Sequence, residues 1–136
     1  MSITLSDQDK TTLRTAAYGA ITLLSAAGAA GGSPHKIATN GSIALSSATG
    51  LVGHVLAEYP KGKELNGKSV AEVADRVLPT LTQAVSLLKK ADQAEADNFR
   101  STVLVAIDAA IQSHKGEPSP TMADMIRKIT AALDAA

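Results

Sequence analysis

The chain contains no cysteine and no tryptophan, and its only aromatic residues are Tyr18, Tyr59 and Phe99. Without cysteine there can be no disulfide, no thiolate nucleophile and no cysteine-ligated zinc. With so few aromatic rings, a core must be built from Ala, Leu, Val and Ile, and stacking on nucleobases has little to draw on. No charge of either sign is in excess, because 13 Lys and Arg face 13 Asp and Glu. Nucleic-acid binders take much of their affinity from phosphate contacts and show a basic surplus, so no nucleic-acid partner is expected. The start, Met1-Ser2-Ile3-Thr4-Leu5-Ser6-Asp7, lacks the basic residues and apolar run of a secretory signal, which makes the cytoplasm the expected compartment.

What is present is a core-forming fraction of 45% hydrophobic residues in 136, enough for one domain (residues 1–136) and too few residues for two comfortable ones. Alanine is abundant and has the highest helix propensity. Periodicity points the same way and predicts an all-α, compact bundle of four to five helices, at about 7–30, 34–59, 69–90, 93–115 and 120–135.

In the first helix Ser6 is a good N-cap, and Asp7 and Asp9 suit the positive end of the dipole. Leu13, Ala17, Ala20, Leu24 and Ala27 share a face, and Gly31-Gly32 stops the helix. Ser33-Pro34 opens the second helix. Asn40-Gly41 is a turn signal inside that segment, which is therefore either one helix or a short one followed by another capped by Ser42. Its inward face carries Ala44, Ala48, Leu51 and Val55. Ser69 and Glu72 form a capping box before a stripe of Val70, Val73, Val77, Leu81, Ala84 and Leu88, with Pro79 expected to kink the helix. Asp92 and Glu95 have the same spacing ahead of Phe99, Val103, Ala106 and Ala110. After Glu117-Pro118-Ser119-Pro120, the last helix turns Met122, Met125, Ile126, Ile129 and Leu133 inward.

Charge is distributed unevenly along this pattern. Between Arg14 and Glu58 the only formally charged side chain is Lys36. A helix that is apolar or small nearly all round is usually buried on several faces. The first two helices thus read as a central hairpin wrapped by the others. A spare face on that hairpin could instead join copies of the chain, with Gly28, Gly50 and Gly53 permitting close backbone contact. A membrane-active hairpin over 16–57 is the remaining reading. It is disfavoured because the segment is rich in Ala, Gly, Ser and Thr and lacks the strongly apolar stretch of about 20 residues that a span requires.

Gly62-Lys63-Glu64-Leu65-Asn66-Gly67-Lys68-Ser69 fits the phosphate-loop pattern GxxxxGK[ST]. Glycines there would turn backbone N–H groups toward a phosphate, Lys68 would add charge, and the Ser69 hydroxyl would meet magnesium. Val103-Leu104-Val105-Ala106-Ile107-Asp108 even imitates an apolar strand ending in a magnesium-binding aspartate. The context opposes this reading. Polar Glu58-Tyr59-Pro60-Lys61 precedes the loop where a buried strand should stand, and the Val103 run continues with helical spacing. Gly62, Gly67, Lys68 and Ser69 therefore remain phosphate candidates beside the plainer reading of a solvated loop that leads into a helix.

His54 and Glu58, four residues apart, share a helix face and could both reach a metal ion. No further pair of the Glu-x-x-His kind accompanies them, so packing or a His54–Glu58 pair is expected instead. His35 falls in a first helical turn and His114 in a last one. Ser46, Ser47 and Thr49 have no base beside them in sequence, and hydroxyls in such helices tend to bond back to their own backbone. No catalytic residue, cofactor or metal is expected.

Three stretches resemble one family of small, uncharacterised bacterial proteins, mostly actinobacterial. They are Leu5-Ser6-Asp7 through Leu13-Arg14 with the small-residue helix that follows, Ala94-Glu95-Ala96-Asp97-Asn98-Phe99-Arg100 with its helix, and the Met122–Leu133 helix. Relatives carry an aromatic residue and a proline where this chain has Lys10 and Ala17. The resemblance implies an all-α fold and brings no reaction, cofactor or catalytic residue with it. The expected role is non-enzymatic, through protein–protein contacts or self-association, with phosphate binding at 62–69 as the alternative.

Overall fold

The structure, a computed structural model, describes residues 5–28, 34–58, 60, 69–112 and 120–136. Among them six α-helices pack together: α1 (Asp7–Ala27), α2 (Pro34–Ser46), α3 (Gly50–Leu56), α4 (Val70–Ala91), α5 (Gln93–Gln112) and α6 (Pro120–Asp134). Among the described residues 88% are helical and none is in a strand. The all-α class holds, and the count is six instead of four to five, because the second predicted helix is two.

The break falls away from the expected turn. α2 runs straight through Asn40-Gly41, and the chain leaves the helix only at Ser47–Thr49. Gly41 is buried against α1, where an added Cβ would lie 2.8 Å from Ile21 Cγ2. The glycine lets two helices approach closely, and Asn-Gly there marks no turn. The real break needs a different glycine. Gly50 opens α3 with φ +76°, a left-handed backbone that other residues adopt at a cost.

α1 is the central helix and packs against all five others, most extensively against α4. Its N-terminus is a full capping box. The Ser6 hydroxyl accepts the Asp9 N–H at 3.0 Å, and the Asp9 carboxylate accepts the Ser6 N–H at 3.2 Å. The predicted face of Leu13, Ala17, Ala20, Leu24 and Ala27 is buried, and so are Ala16, Tyr18, Gly19, Ile21 and Leu23 between them. The lack of charge on α1 beyond Arg14 thus has a direct cause: no face of the helix meets bulk water along its middle.

α2 differs. It lies on α5 and α1 and buries Ile37, Gly41 and Leu45, yet Ile43 is 58% exposed and Lys36, Thr39, Asn40, Ser46 and Ser47 are exposed too. The wrapped-hairpin expectation is right for α1 and half right for α2. α1 also ends at Ala27, short of the expected 30, where the Gly28 N–H reaches the Leu24 carbonyl at 2.9 Å. Residues 29–33, with the Gly31-Gly32 stop and Ser33, lie outside the described residues.

α4 continues across Pro79, which sits on the exposed side of the helix. Val77, Leu81, Ala84 and Leu88 of its stripe are buried, Val73 is half-buried, and Val70 in the first turn is 40% exposed instead of inward. Phe99, Val103, Ala106 and Ala110 of α5 are buried as expected. So are Met122, Met125, Ile129 and Leu133 of α6, with Ile126 half-buried. Thr82 ties α4 to α6 by donating to the Ala132 carbonyl at 2.7 Å.

Candidate functional site

Three places follow from the sequence: the phosphate-like loop, the His54–Glu58 pair, and the charge-poor surface. Of the loop, Gly62, Gly67 and Lys68 lie outside the described residues. Ser69 is described and is the N-cap of α4, its hydroxyl accepting the Glu72 N–H at 3.2 Å. That hydroxyl serves the helix start. The run Val103–Asp108 that could pass for the partner strand is the middle of α5, and Asp108 is exposed on that helix.

His54 and Glu58 sit at the end of α3, both exposed. Glu58 is engaged by Arg14 of α1, whose Nη2 lies 3.2 Å from its carboxylate. The same guanidinium donates through Nε to the Val55 carbonyl at 3.0 Å. Glu58 therefore turns toward α1, and the pairing expected with His54 is replaced by one with Arg14. Among the described residues no group of three or more His, Cys, Asp or Glu comes together in a way that could hold a metal ion. The side chain of His35 and the whole of His114 lie outside the described residues.

The hydroxyls behave as their setting predicts. Ser46 and Ser47 donate to the Ile43 carbonyl at 3.0 and 2.8 Å, and Thr12, Thr22, Thr80 and Thr130 bond to carbonyls one turn back in their own helices. A hydroxyl donating to a backbone carbonyl is not presented to a general base. Nothing in these contacts marks a nucleophile.

The third place is the outer surface where α2 lies along α5. A shallow groove of about 270 Å³ runs between them, lined by Ala44, Ser47, Ala48, Asn98, Ser101 and Val105. A second groove, of about 330 Å³, continues along α5 past Arg100, Leu104, Val105 and Asp108. Both are open to solvent, whereas small-molecule pockets enclose most of their ligand. Val105 stands between the grooves with 58% of its surface exposed, and Ile43 matches it at 58% on α2. Ser47, just past the end of α2 and bonded to the Ile43 carbonyl, lines the groove that Val105 lines. Sequence reasoning missed both residues. Each lies in a dense apolar run, where helical periodicity no longer separates inside from outside.

Electrostatics on this surface is set by α5. Arg100 meets Asp134 of α6 at 2.8 Å through Nε, and that hydrogen bond holds the guanidinium even more firmly charged than usual. Asp97 accepts from Gln93 Nε2 at 3.0 Å. The glycines expected at a surface between copies serve the fold. Gly28 is buried against Ile37 and Met122, and Gly53 against the Ala48 backbone.

No helix among the described residues is long and apolar enough to cross a membrane. No protein-family model matches the sequence, and no curated protein or solved structure is significantly similar to it.

Proposed function

We propose that this protein works through protein–protein contact, with its own copy first, at the surface where α2 lies on α5, and that it does so without catalysis, in the cytoplasm. The observation that carries this reading is the pair Ile43 and Val105. They are two of the three large hydrophobic residues exposed among the described ones; Val105 lines the groove between α2 and α5, and Ile43 is next in sequence to Ala44, which lines it too. Single exposed apolar residues are ordinary on any surface. The groove here is lined by Ala44, Ser47, Ala48, Thr49 and Ser101, none of which carries a charge that contact would have to desolvate. The charge-poor stretch of sequence supports the same place, since burial within the chain accounts for α1 but not for the outer side of α2.

Sedimentation velocity over a wide dilution series tests the reading. A mass that rises with concentration is expected, and Ile43→Lys or Val105→Glu should hold the chain at its monomer mass while leaving its helical spectrum unchanged. A wild-type chain of constant monomer mass up to high micromolar concentration would reject self-association.

A further inference from the structure

We infer that the partner at this surface is a second copy docked with its α5 antiparallel to the first, about a two-fold axis passing beside Leu104. The inference rests on the preceding reading of the α2–α5 surface and fixes its geometry. Arg100 lies four residues before Leu104, and Asp108 lies four after it. Steps of four keep all three on one helix face, and all three line the same groove with Val105. At about 1.5 Å of rise per residue, the two charges stand roughly 6 Å to either side of the apolar centre.

A two-fold interface is self-complementary, so every contact occurs twice. When two antiparallel copies of α5 meet at Leu104, each residue faces the one equally far on the other side. Arg100 then faces the partner's Asp108, and Asp108 faces the partner's Arg100. A parallel pair would set Arg100 against Arg100 and Asp108 against Asp108. The order of charges along the helix thus selects the antiparallel arrangement and rejects the parallel one.

The charges are prepared for this contact. Asp134 holds Arg100 through Nε at 2.8 Å, which fixes the guanidinium on this face. A guanidinium has further N–H donors for a second carboxylate. Asp97, the other acid lining the groove, accepts from Gln93 Nε2 at 3.0 Å. Leu104 is half-buried and Val105 exposed, so the axis runs beside side chains with apolar surface left to cover.

Charge exchange in the full-length chain tests the register. Arg100→Asp and Asp108→Arg each oppose like charges across the axis, and each alone should weaken dimerisation at least tenfold in sedimentation velocity. An equimolar mixture of the two variants restores opposite charges at both contacts and should recover the dimer. Circular dichroism checks that each variant is folded. Because the chain has no cysteine, Leu104→Cys gives a second, independent measurement. A residue beside the axis meets its own copy, so this variant should oxidise to a disulfide dimer far faster than Val70→Cys, which is exposed on α4. Equal oxidation rates, or a mixture of folded variants that stays monomeric, would overturn the antiparallel register. A wild-type dimer that Ile43→Lys abolishes and the charge exchanges leave intact keeps the α2–α5 interface and rejects this geometry. A chain that is monomeric throughout rejects both.

Discussion

The Glu95 carboxylate of α5 accepts the backbone N–H of Val52 in the first turn of α3 at 3.3 Å, across 43 positions of sequence. Asn98, one turn further along α5, donates to the Thr49 carbonyl at 2.9 Å. At the other end of α3, Arg14 donates to the Val55 carbonyl at 3.0 Å and Tyr18 to the Leu56 carbonyl at 2.6 Å. α3 has only seven residues, well below the length at which a helix holds itself together in water. Thr49 makes no side-chain cap of its own. The helix is held at both ends by side chains from α5 and α1; it carries His54, and Glu58 follows just past its end.

This arrangement predicts that α3 loosens before the rest of the fold. Glu95→Ala should cost about 1 kcal/mol, the size of a lost N-cap. Tyr18→Phe leaves a buried carbonyl without its donor and should cost roughly 1–3 kcal/mol. Urea denaturation gives the totals. Amide hydrogen exchange gives the location, with Val52 to Leu56 speeding up in both variants. Exchange at α3 unchanged by Glu95→Ala would mean that the carboxylate does not hold the helix.

Much of this fold was legible in the sequence, and the failures share a cause. The stripes on α4, α5 and α6 and the caps at Ser6 and Ser69 depend on local spacing, which a sequence displays. Glu95 follows Asp92 at capping-box spacing, yet its carboxylate serves α3; Asp92 instead accepts the Ala94 N–H at 3.0 Å. That partner is distant in sequence and leaves no local trace. Asn40-Gly41 misled for a related reason, because glycine answers both to a turn and to a close helix crossing. Ile43 lies in Ile43-Ala44-Leu45 and Val105 in Val103–Ile107, consecutive apolar residues whose spacing could not tell which of them would stay outside. The candidate site was legible only as a stretch without charge, and its position on α2 and α5 was not.

The crossing of α1 and α2 gives a test at Gly41. An added methyl would sit 2.8 Å from Ile21 Cγ2 and 2.9 Å from Ile21 Cδ1. Gly41→Ala should therefore destabilise by about 1–3 kcal/mol, the usual cost of overpacking. Its backbone has no positive φ, so the cost comes from the contact, and shortening Ile21 should relieve it. In a double-mutant cycle Ile21→Ala and Gly41→Ala should couple favourably by at least about 1 kcal/mol. Additive losses would place the clash elsewhere.

Acid should act on α6. Asp124 is met by Arg127 at 2.9 Å and Lys128 at 3.2 Å, and these partners, Arg127 first, hold its carboxyl below its ordinary value. A carboxylate whose folded value is depressed stabilises the fold fully above its unfolded value, and that contribution disappears as pH falls through the folded one. The window thus lies on the acid side of the usual Asp range. Asp124→Asn should flatten that part of the curve of melting temperature against pH, and NMR titration should show Asp124 ionising below a peptide reference. Because the group is on the surface, salt should weaken the effect. A normal titration midpoint at Asp124 would remove the prediction.

Magnesium-ATP provides the check on the loop at 62–69. The Ser69 hydroxyl, which would meet magnesium, caps α4 by accepting the Glu72 N–H at 3.2 Å, and Asp108, the strand-end aspartate of that reading, stands exposed in the middle of a helix. Calorimetric titration is expected to show no heat that depends on Lys68. Binding heat in the wild type that vanishes in Lys68→Ala would give the phosphate reading the support it lacks.

Thr15 offers a gain in stability. It lies on α1 at 5% exposure, and its Oγ1 is the one fully buried side-chain polar atom among the described residues without a hydrogen-bond partner. A buried hydroxyl with no partner costs about 1–3 kcal/mol on the protein mutational scale. Valine has nearly the same shape and the same branching at Cβ, so Thr15→Val exchanges the hydroxyl for a methyl without opening a cavity. The expected result is a gain of roughly 1 kcal/mol in urea denaturation. Thr15→Ser, which keeps the hydroxyl and deletes the methyl, should lose stability instead. If Thr15→Val destabilises, the hydroxyl has a partner, and α1 carries a polar contact in its most buried stretch.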